Sequence, residues 1–203
     1  TVVVGGPHPH IYPEETAGFE EIDYVLTGEG EETLPRLLDA LRSGAVPSGV
    51  RGVSWADSEG IHRGENPEAI SNLDELSHPA RELTNIKLYH SVLARTSPAT
   101  TIISSRGCGH RCTFCDRPHL GRAFRGRSPD SVIDEIENCL SLGIREFLFY
   151  DDNFTSDPER VYGICDSIIS EGLNISFDIR AHLKDITLPM LKLLRRAGCE
   201  RIH

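Results

Sequence analysis

The sequence predicts an α/β protein whose strands are largely parallel. Short β-branched or aromatic runs alternate along the chain with longer segments in which apolar residues recur every three or four positions. Strand–helix units of this kind repeat through residues 98–203, and a strand–loop–strand–helix order occupies residues 1–60. Such repetition is typical of parallel strands joined by right-handed crossovers and covered by helices. Open sheets and barrels share the pattern, so it leaves both possible.

The first part of the chain contains the elements of a small open sheet. The predicted strands are residues 1–4 and Tyr24–Leu26. Residues 50–55 and 61–63 could form a small hairpin across the turn-rich residues 57–60. A helix after the second strand carries an apolar stripe made of Leu34, Leu37, Leu38 and Leu41. Pro35 fits this helix if it lies in the first turn, where its missing N–H costs no hydrogen bond.

Helix starts in the second part are marked by a capping residue followed by proline, as in Ser128-Pro129 and Asp157-Pro158. The predicted strands are residues 100–104, 146–150 and 175–179, with a fourth beginning near residue 199, and a further helix is predicted over residues 187–197. Residues 61–97 carry no motif and are interpreted as a connector between a domain of residues 1–60 and a domain of residues 98–203.

Composition limits the class of protein. The chain of 203 residues is 38% hydrophobic and has a net charge of −10, which argues against nucleic acid or a membrane surface as a partner. No apolar run approaches the roughly 20 residues that span a bilayer. No signal peptide opens the chain, so we expect reduced thiols and a cytoplasmic location. Both ends fall within strand-like runs, so we expect part of a longer enzyme, inactive by itself.

Three cysteines, Cys108, Cys112 and Cys115, stand close together with the spacing C-x3-C-x2-C. Thiolates are soft ligands that suit iron–sulfur clusters, zinc and copper(I). A cluster of four irons usually takes four cysteines, so three would leave one iron open, as is typical of metal sites that do chemistry. A zinc site completed by His110 or His119 is the alternative.

This spacing, with Phe114 before the last cysteine and an apolar strand upstream, resembles the signature of the radical SAM superfamily. The resemblance implies a [4Fe-4S] cluster on Cys108, Cys112 and Cys115, whose open iron takes the amino and carboxylate groups of S-adenosylmethionine (SAM). Reduction then cleaves a carbon–sulfur bond of SAM and yields a 5′-deoxyadenosyl radical. It also implies that residues 98–203 are the first half of a partial (β/α)6 barrel, whose site lies at the carboxyl ends of its strands.

A second resemblance concerns the glycines that follow the first two strands. Gly5-Gly6, together with the Gly-Glu-Gly-Glu-Glu-Thr of residues 28–33, is similar to the C-terminal part of the cobalamin-binding domain that precedes the radical SAM domain in one large subfamily. Residues 1–60 would then be the C-terminal part of an open Rossmann-like domain, in which Gly5 and Gly6 approach the nucleotide tail of cobalamin. Taken alone, such a pair is more often a turn, and we expect His8 and His10 to be solvated loop residues.

Polar residues follow the second and third strands of the implied barrel. In the family, the loop after the second strand contacts the SAM amino group, which points to Asp151, Asp152 and Asn153. Arg180 could pair with the SAM carboxylate in bidentate fashion, and the backbone of Phe114 would meet the adenine. Polar residues at strand ends are also often caps or loop formers, and both interpretations stay open.

The sequence thus predicts a radical SAM enzyme that, with cobalamin, methylates or rearranges an unreactive small molecule and receives electrons from a reductant such as flavodoxin or ferredoxin. The alternative is a metal-binding module with structural zinc or an electron-transfer cluster and no SAM chemistry. Arginines around the cysteines are counter-charge for the cluster and SAM, or recognise an anionic substrate. They are Arg106, Arg111, Arg117, Arg122, Arg125 and Arg127.

Overall fold

The structure, a computed structural model, describes residues 1–92, 94–115 and 121–203. Backbone proximity divides the chain into a first unit, residues 1–71 with 111–122, and a second unit, residues 72–110 with 123–203. The domain limits at residues 60 and 97 stay a prediction. Within the described ranges, no helix combines the length and the apolar character that passage through a bilayer requires.

The first unit is built on a mixed sheet. Its strands lie in the order β1 (Val3–Val4), β2 (Tyr24–Leu26), β3 (Val53–Asp57) and β4 (Gly60–His62). Strands β1 and β2 are parallel, whereas β3 pairs antiparallel with both of its neighbours. Leu26, Leu37 and Val53 form the buried core of this unit. The predicted strands and the hairpin are confirmed.

The helices of the first unit are α1 (Pro7–Ile11), α2 (Pro13–Ala17) and α3 (Gly30–Arg42). Helix α3 confirms the predicted helix, and Leu37 is its fully buried leucine, while Leu34 and Leu38 are exposed. The expectation that Pro35 lies in the first turn is wrong, because α3 begins at Gly30 and places Pro35 one turn later. Pro35 is exposed, so its ring lies on the solvent side of the helix.

The second unit contains a parallel sheet and a short ribbon. Its strands are β5 (Ala99–Ile102), β6 (Ser105–Arg106), β7 (Arg125–Gly126), β8 (Glu146–Phe149), β9 (Ser176–Ile179) and β10 (Cys199–Ile202). The sheet order is β10-β9-β8-β5 with every neighbouring pair parallel, and β6 pairs antiparallel with β7. The predicted parallel sheet is confirmed.

The crossover helices of the second unit begin where the sequence predicts. They are α4 (Pro129–Ser141), α5 (Pro158–Ser170) and α6 (Leu188–Ala197). The side chains of Ser128, Asp157 and Thr187 each accept a hydrogen bond from the backbone N–H three residues on, at 3.2, 3.1 and 3.4 Å. These N-caps satisfy donors that a helix start otherwise leaves without a partner.

Strand alternation decides which side chains face the helices. Phe149 and Phe177 are buried in the core beneath α4, α5 and α6, with ring centroids 5.4 Å apart. Neighbours in the strands point the other way, and Leu148, Asp178 and Arg180 line a cavity of about 620 Å³ on the opposite face of the sheet. The sheet therefore has an apolar face under the helices and a more polar face towards the cavity.

Candidate active site

The cysteine segment departs from the second unit through the β6–β7 ribbon. This ribbon lies just beyond the carboxyl end of β5, and the backbone N–H of Arg127 donates to the carbonyl of Ser104 (2.9 Å). The ribbon therefore gives the segment that carries the cysteines a hydrogen-bonded base, which we call the loop base. That base is the point from which Cys108 is positioned.

Asp151 holds the first side of the loop base. It follows β8 and is 0% exposed. One carboxylate oxygen accepts the backbone N–H of Ser104 (2.7 Å), and the other accepts the hydroxyls of Ser104 (2.7 Å) and Ser105 (2.6 Å). Burial raises the pKa of Asp151, although these hydrogen bonds and the charge of Arg160 favour the carboxylate. Both oxygens accept hydrogen bonds inside the protein, so Asp151 holds the loop base, and its contact with SAM stays a prediction.

Arg160, in α5, holds both sides of the loop base. Its Nη2 donates to the carbonyl of Ser104 (2.8 Å) and its Nε donates to the carbonyl of Arg127 (2.7 Å). Arg160 is buried, and burial lowers its pKa while the charge of Asp151 raises it. We call Asp151 and Arg160 the loop-base clamp. The sequence alone does not reveal the role of Arg160, because an arginine in an amphipathic helix is ordinarily a solvated residue.

Arg127 also has a structural role rather than a ligand-binding one. Its guanidinium and that of Arg81 both pair with the carboxylate of Glu135, which is 1% exposed. This buried group removes Arg127 from the set of arginines that could attract an anionic substrate. Arg117 and His119, which the sequence analysis also considered, lie outside the described residues.

The three cysteines differ in exposure. Cys108 is buried, Cys112 is half-buried and Cys115 is exposed. Each of the chain's six cysteines, all within the described residues, is a free thiol. Cys112 and Cys115 close a tight turn, in which the backbone N–H of Cys115 donates to the carbonyl of Cys112 (3.2 Å). Phe114, between them, is 90% exposed. The joint binding of one cluster by these cysteines stays a prediction.

Asp152 and Asn153 have different surroundings. Asp152 is half-buried and accepts the backbone N–H of Gly107 (3.2 Å), the residue before Cys108. Asn153 is 1% exposed, and both its amide oxygen and its amide nitrogen make hydrogen bonds within the protein. Its Oδ1 accepts from the Thr155 hydroxyl (2.9 Å) and the His182 backbone (3.0 Å), and its Nδ2 donates to a carboxylate in the loop after β9 (2.6 Å). These hydrogen bonds give Asn153 a role in joining the two loops, and its contact with SAM stays a prediction.

Arg180 directly follows β9 and lies on the side of the sheet that faces the cavity. Its guanidinium carbon is 3.6 Å from the centroid of the Tyr150 ring, a cation–π contact that fixes its direction. Arg180 is half-buried and lines the cavity of about 620 Å³. The position suits binding of an anionic group, and the assignment to the SAM carboxylate stays a prediction.

The glycines of the first unit lie at the start of α1. Gly6 has a φ of 106°, which favours glycine, and a Cβ there would meet nothing within 4 Å. A Cβ on Gly5 would make ordinary contacts with Leu26. His10 is half-buried rather than solvated as expected, since its Nδ1 accepts the backbone N–H of Gly28 (3.1 Å). A cavity of about 360 Å³ adjoins His10 and Gly28.

Comparison with known proteins places this geometry in context. The sequence profile of the radical SAM superfamily matches residues 102–203. An uncharacterized methyltransferase of Pyrococcus horikoshii is 35% identical over the whole chain, which corresponds to 44% of that protein. The cytidylyl-2-hydroxyethylphosphonate methyltransferase of Streptomyces wedmorensis is 31% identical over 77% of the chain and 35% of its own length. The chain thus spans less than half the length of these curated relatives.

A solved structure has a similar fold. The cobalamin-dependent SAM radical enzyme OxsB, with aqua-cobalamin and SAM bound, superposes with a TM-score of 0.77 and 25% identity. The match covers 98% of this chain and 30% of OxsB. The matched residues therefore belong to both units of the chain.

Proposed function

Because this chain belongs to the radical SAM superfamily, we propose that it holds a [4Fe-4S] cluster on Cys108, Cys112 and Cys115 and binds SAM at the open iron. When bound, the cluster and SAM supply a one-electron reductive cleavage of a SAM carbon–sulfur bond. The observation that carries the proposal is the set of free cysteines, spaced C-x3-C-x2-C, in a loop that starts at the carboxyl end of a parallel strand.

The donor set fits such a cluster. Thiolates are the ligands that iron–sulfur clusters prefer. Cys139, Cys165 and Cys199 are buried in the hydrophobic core beneath the helices and are unavailable as a fourth ligand. Burial raises the pKa of Cys165 and of Cys199 to about 12, so both stay protonated at neutral pH. Three ligands and one open iron are what this chemistry needs.

The remaining residues divide into those that hold the loop and those that meet SAM. Asp151 and Arg160 hold the base of the loop. Asp152 is the carboxylate we assign to the SAM ammonium group, since it is half-buried and already faces the residue before Cys108. Arg180 is assigned to the SAM carboxylate, and the backbone of Phe114 to the adenine.

The wider enzyme is proposed to use cobalamin. Residues 1–60 would be the C-terminal part of an open Rossmann-like cobalamin-binding domain, with Gly5 and Gly6 near the nucleotide tail, and residues 98–203 the first half of a partial (β/α)6 barrel. The likeness to OxsB and to two methyltransferases supports methylation or ring rearrangement of an unreactive small molecule. A flavodoxin or ferredoxin in the cytoplasm would supply the electron.

Anaerobic reconstitution followed by iron counting tests the cluster. We expect about four irons per chain, as in one [4Fe-4S] cluster, and loss of iron in Cys112→Ala. A matched control, the triple variant Cys139→Ala, Cys165→Ala and Cys199→Ala, should keep its iron. Iron loss in the control, or a colourless zinc-loaded wild type, would overturn the proposal.

A further inference from the structure

We propose that His110 is a positioning residue for the cluster: it anchors the middle of the cysteine segment to the loops after β8 and β9 through Asp185. The inference rests on the proposed function, since it concerns the same cluster. His110 lies two residues after Cys108 and two before Cys112. We call His110, Asn153, His182 and Asp185 the histidine latch.

The latch joins segments that are far apart in sequence. His110 Nε2 lies 2.7 Å from Asp185 Oδ2, and Asn153 Nδ2 donates to the same oxygen at 2.6 Å. The His110 and His182 rings stack with centroids 3.6 Å apart and an angle of 11° between their planes. Asn153 also accepts the backbone N–H of His182 (3.0 Å). The segments after β6, β8 and β9 thereby meet in one hydrogen-bonded group.

The direction of these hydrogen bonds follows from Asp185. Burial opposes its ionisation, but the hydrogen bonds from His110 and Asn153 outweigh burial and lower the pKa of Asp185. Asp185 is therefore a carboxylate at neutral pH and can only accept, so His110 Nε2 must be the donor. A charge-assisted hydrogen bond of this length is among the stronger ones in proteins.

The same residues could be read as a metal site, because one ligand atom from each of His110, His182 and Asp185 lies within 4.8 Å of the others. Two observations argue against a bound cation. The Nδ1 of His182 accepts the backbone N–H of Lys184 (3.3 Å), which leaves the ring proton on Nε2. The Asp185 oxygen already takes two N–H donors, one of them from the amide of Asn153. A cation at this position would therefore meet N–H groups rather than free lone pairs. The four residues are instead joined to one another by hydrogen bonds.

Anchoring at His110 restrains the backbone that carries two of the cluster ligands. Asn153, the centre of the latch, is 1% exposed and makes hydrogen bonds with both its oxygen and its nitrogen. Residues that orient ligands in this way tune both the retention of a metal centre and its reduction. A loss of the latch should therefore change the cluster itself, beyond any change in folding.

The test uses the full chain, reconstituted anaerobically, with His110→Leu, Asp185→Ala, the double variant and His8→Leu as control. We expect His110→Leu and Asp185→Ala each to release iron to a chelator about tenfold faster than wild type, as is typical when an outer-shell partner is lost. The double variant should be less affected than the two single effects combined, because both single variants remove the His110–Asp185 hydrogen bond. Each also removes one contact of its own, His110 its stacking on His182 and Asp185 its hydrogen bond from Asn153. His8→Leu should match wild type.

A redox titration and a rescue variant separate the latch from a purely structural effect. The cluster reduction equilibrium should change by about tenfold in His110→Leu, a shift of about 59 mV for a one-electron couple. His110→Gln keeps an N–H donor and should restore most of both properties. Circular dichroism confirms folding, and Asp185→Asn replaces Asp185→Ala if the latter unfolds.

The outcomes distinguish this inference from the proposed function. Absence of a cluster in the wild type overturns both. A wild-type cluster with unchanged iron release and reduction in His110→Leu and Asp185→Ala overturns the latch alone. Fully additive effects in the double variant, which would mean that no interaction joins His110 to Asp185, also overturn it. So does stoichiometric Zn²⁺ binding by a chain without Cys108, Cys112 and Cys115 that is lost in Asp185→Ala.

Discussion

Replacing Asp151 by alanine tests whether the loop-base clamp is a structural requirement for the cysteine loop. The change removes the acceptor of hydrogen bonds from the Ser104 backbone, the Ser104 hydroxyl and the Ser105 hydroxyl, all in a fully buried setting. It also removes the negative charge that most favours the charged form of the buried Arg160.

The loss of folding stability in Asp151→Ala depends on the buried groups that remain without a partner. Deleting one partner of a buried charged group typically costs about 3–5 kcal/mol, because the other charge stays buried without compensation. Asp151→Asn keeps one oxygen as an acceptor and avoids the desolvation of a carboxylate, so we expect about 1–3 kcal/mol. Asp152→Ala, the adjacent control, loses a single hydrogen bond at 3.2 Å and should cost about 0.5–1.5 kcal/mol.

Urea unfolding followed by far-ultraviolet circular dichroism measures these differences, and iron counting after reconstitution measures the effect on the site. The expected order of stability loss is Asp151→Ala, then Asp151→Asn, then Asp152→Ala. Iron content should fall in Asp151→Ala and stay close to wild type in Asp152→Ala. Equal stability of Asp151→Ala and wild type, with full iron, would show that Asp151 does not hold the loop.

Two further predictions concern the second unit. Burial raises the pKa of Cys165 and of Cys199 from an ordinary value of 9.0 to about 12. Both thiols should therefore react with iodoacetamide about a thousandfold more slowly than an unperturbed thiol at about pH 8. Rapid labelling of either residue in the folded chain, measured by mass spectrometry, would contradict their burial. Gly198→Ala should cost about 2–3 kcal/mol, since Gly198 has a φ of 102° and a Cβ there would overlap the carbonyl of Ile175. Gly172→Ala, with a φ of 66° and open space around the Cβ, should cost about 1 kcal/mol, and urea unfolding measures both variants.

Local sequence patterns determined the helices and strands of the second unit. Ser128, Asp157 and Thr187 mark helix starts because capping acts over three residues, a range that the sequence displays directly. The cysteine spacing is also local, and it carried the family assignment that the profile match supports. Two helices of the first unit could not be predicted from the sequence. Helices α1 and α2 are each five residues long, which leaves too few positions for a periodic apolar pattern.

The roles of the polar residues after β8 were decided by the tertiary structure. Asp151, Asp152 and Asn153 are adjacent in sequence, yet Asp151 accepts the backbone N–H of Ser104, between β5 and β6, and Asn153 contacts the loop after β9. Alternation sends consecutive residues to opposite sides, and which side meets which partner depends on the register between parallel strands. The role of Arg160 could not be predicted for the same reason, because it donates to two carbonyls that are 33 and 56 residues away in sequence. Contacts at such separations exist only once the sheet and its helices have packed.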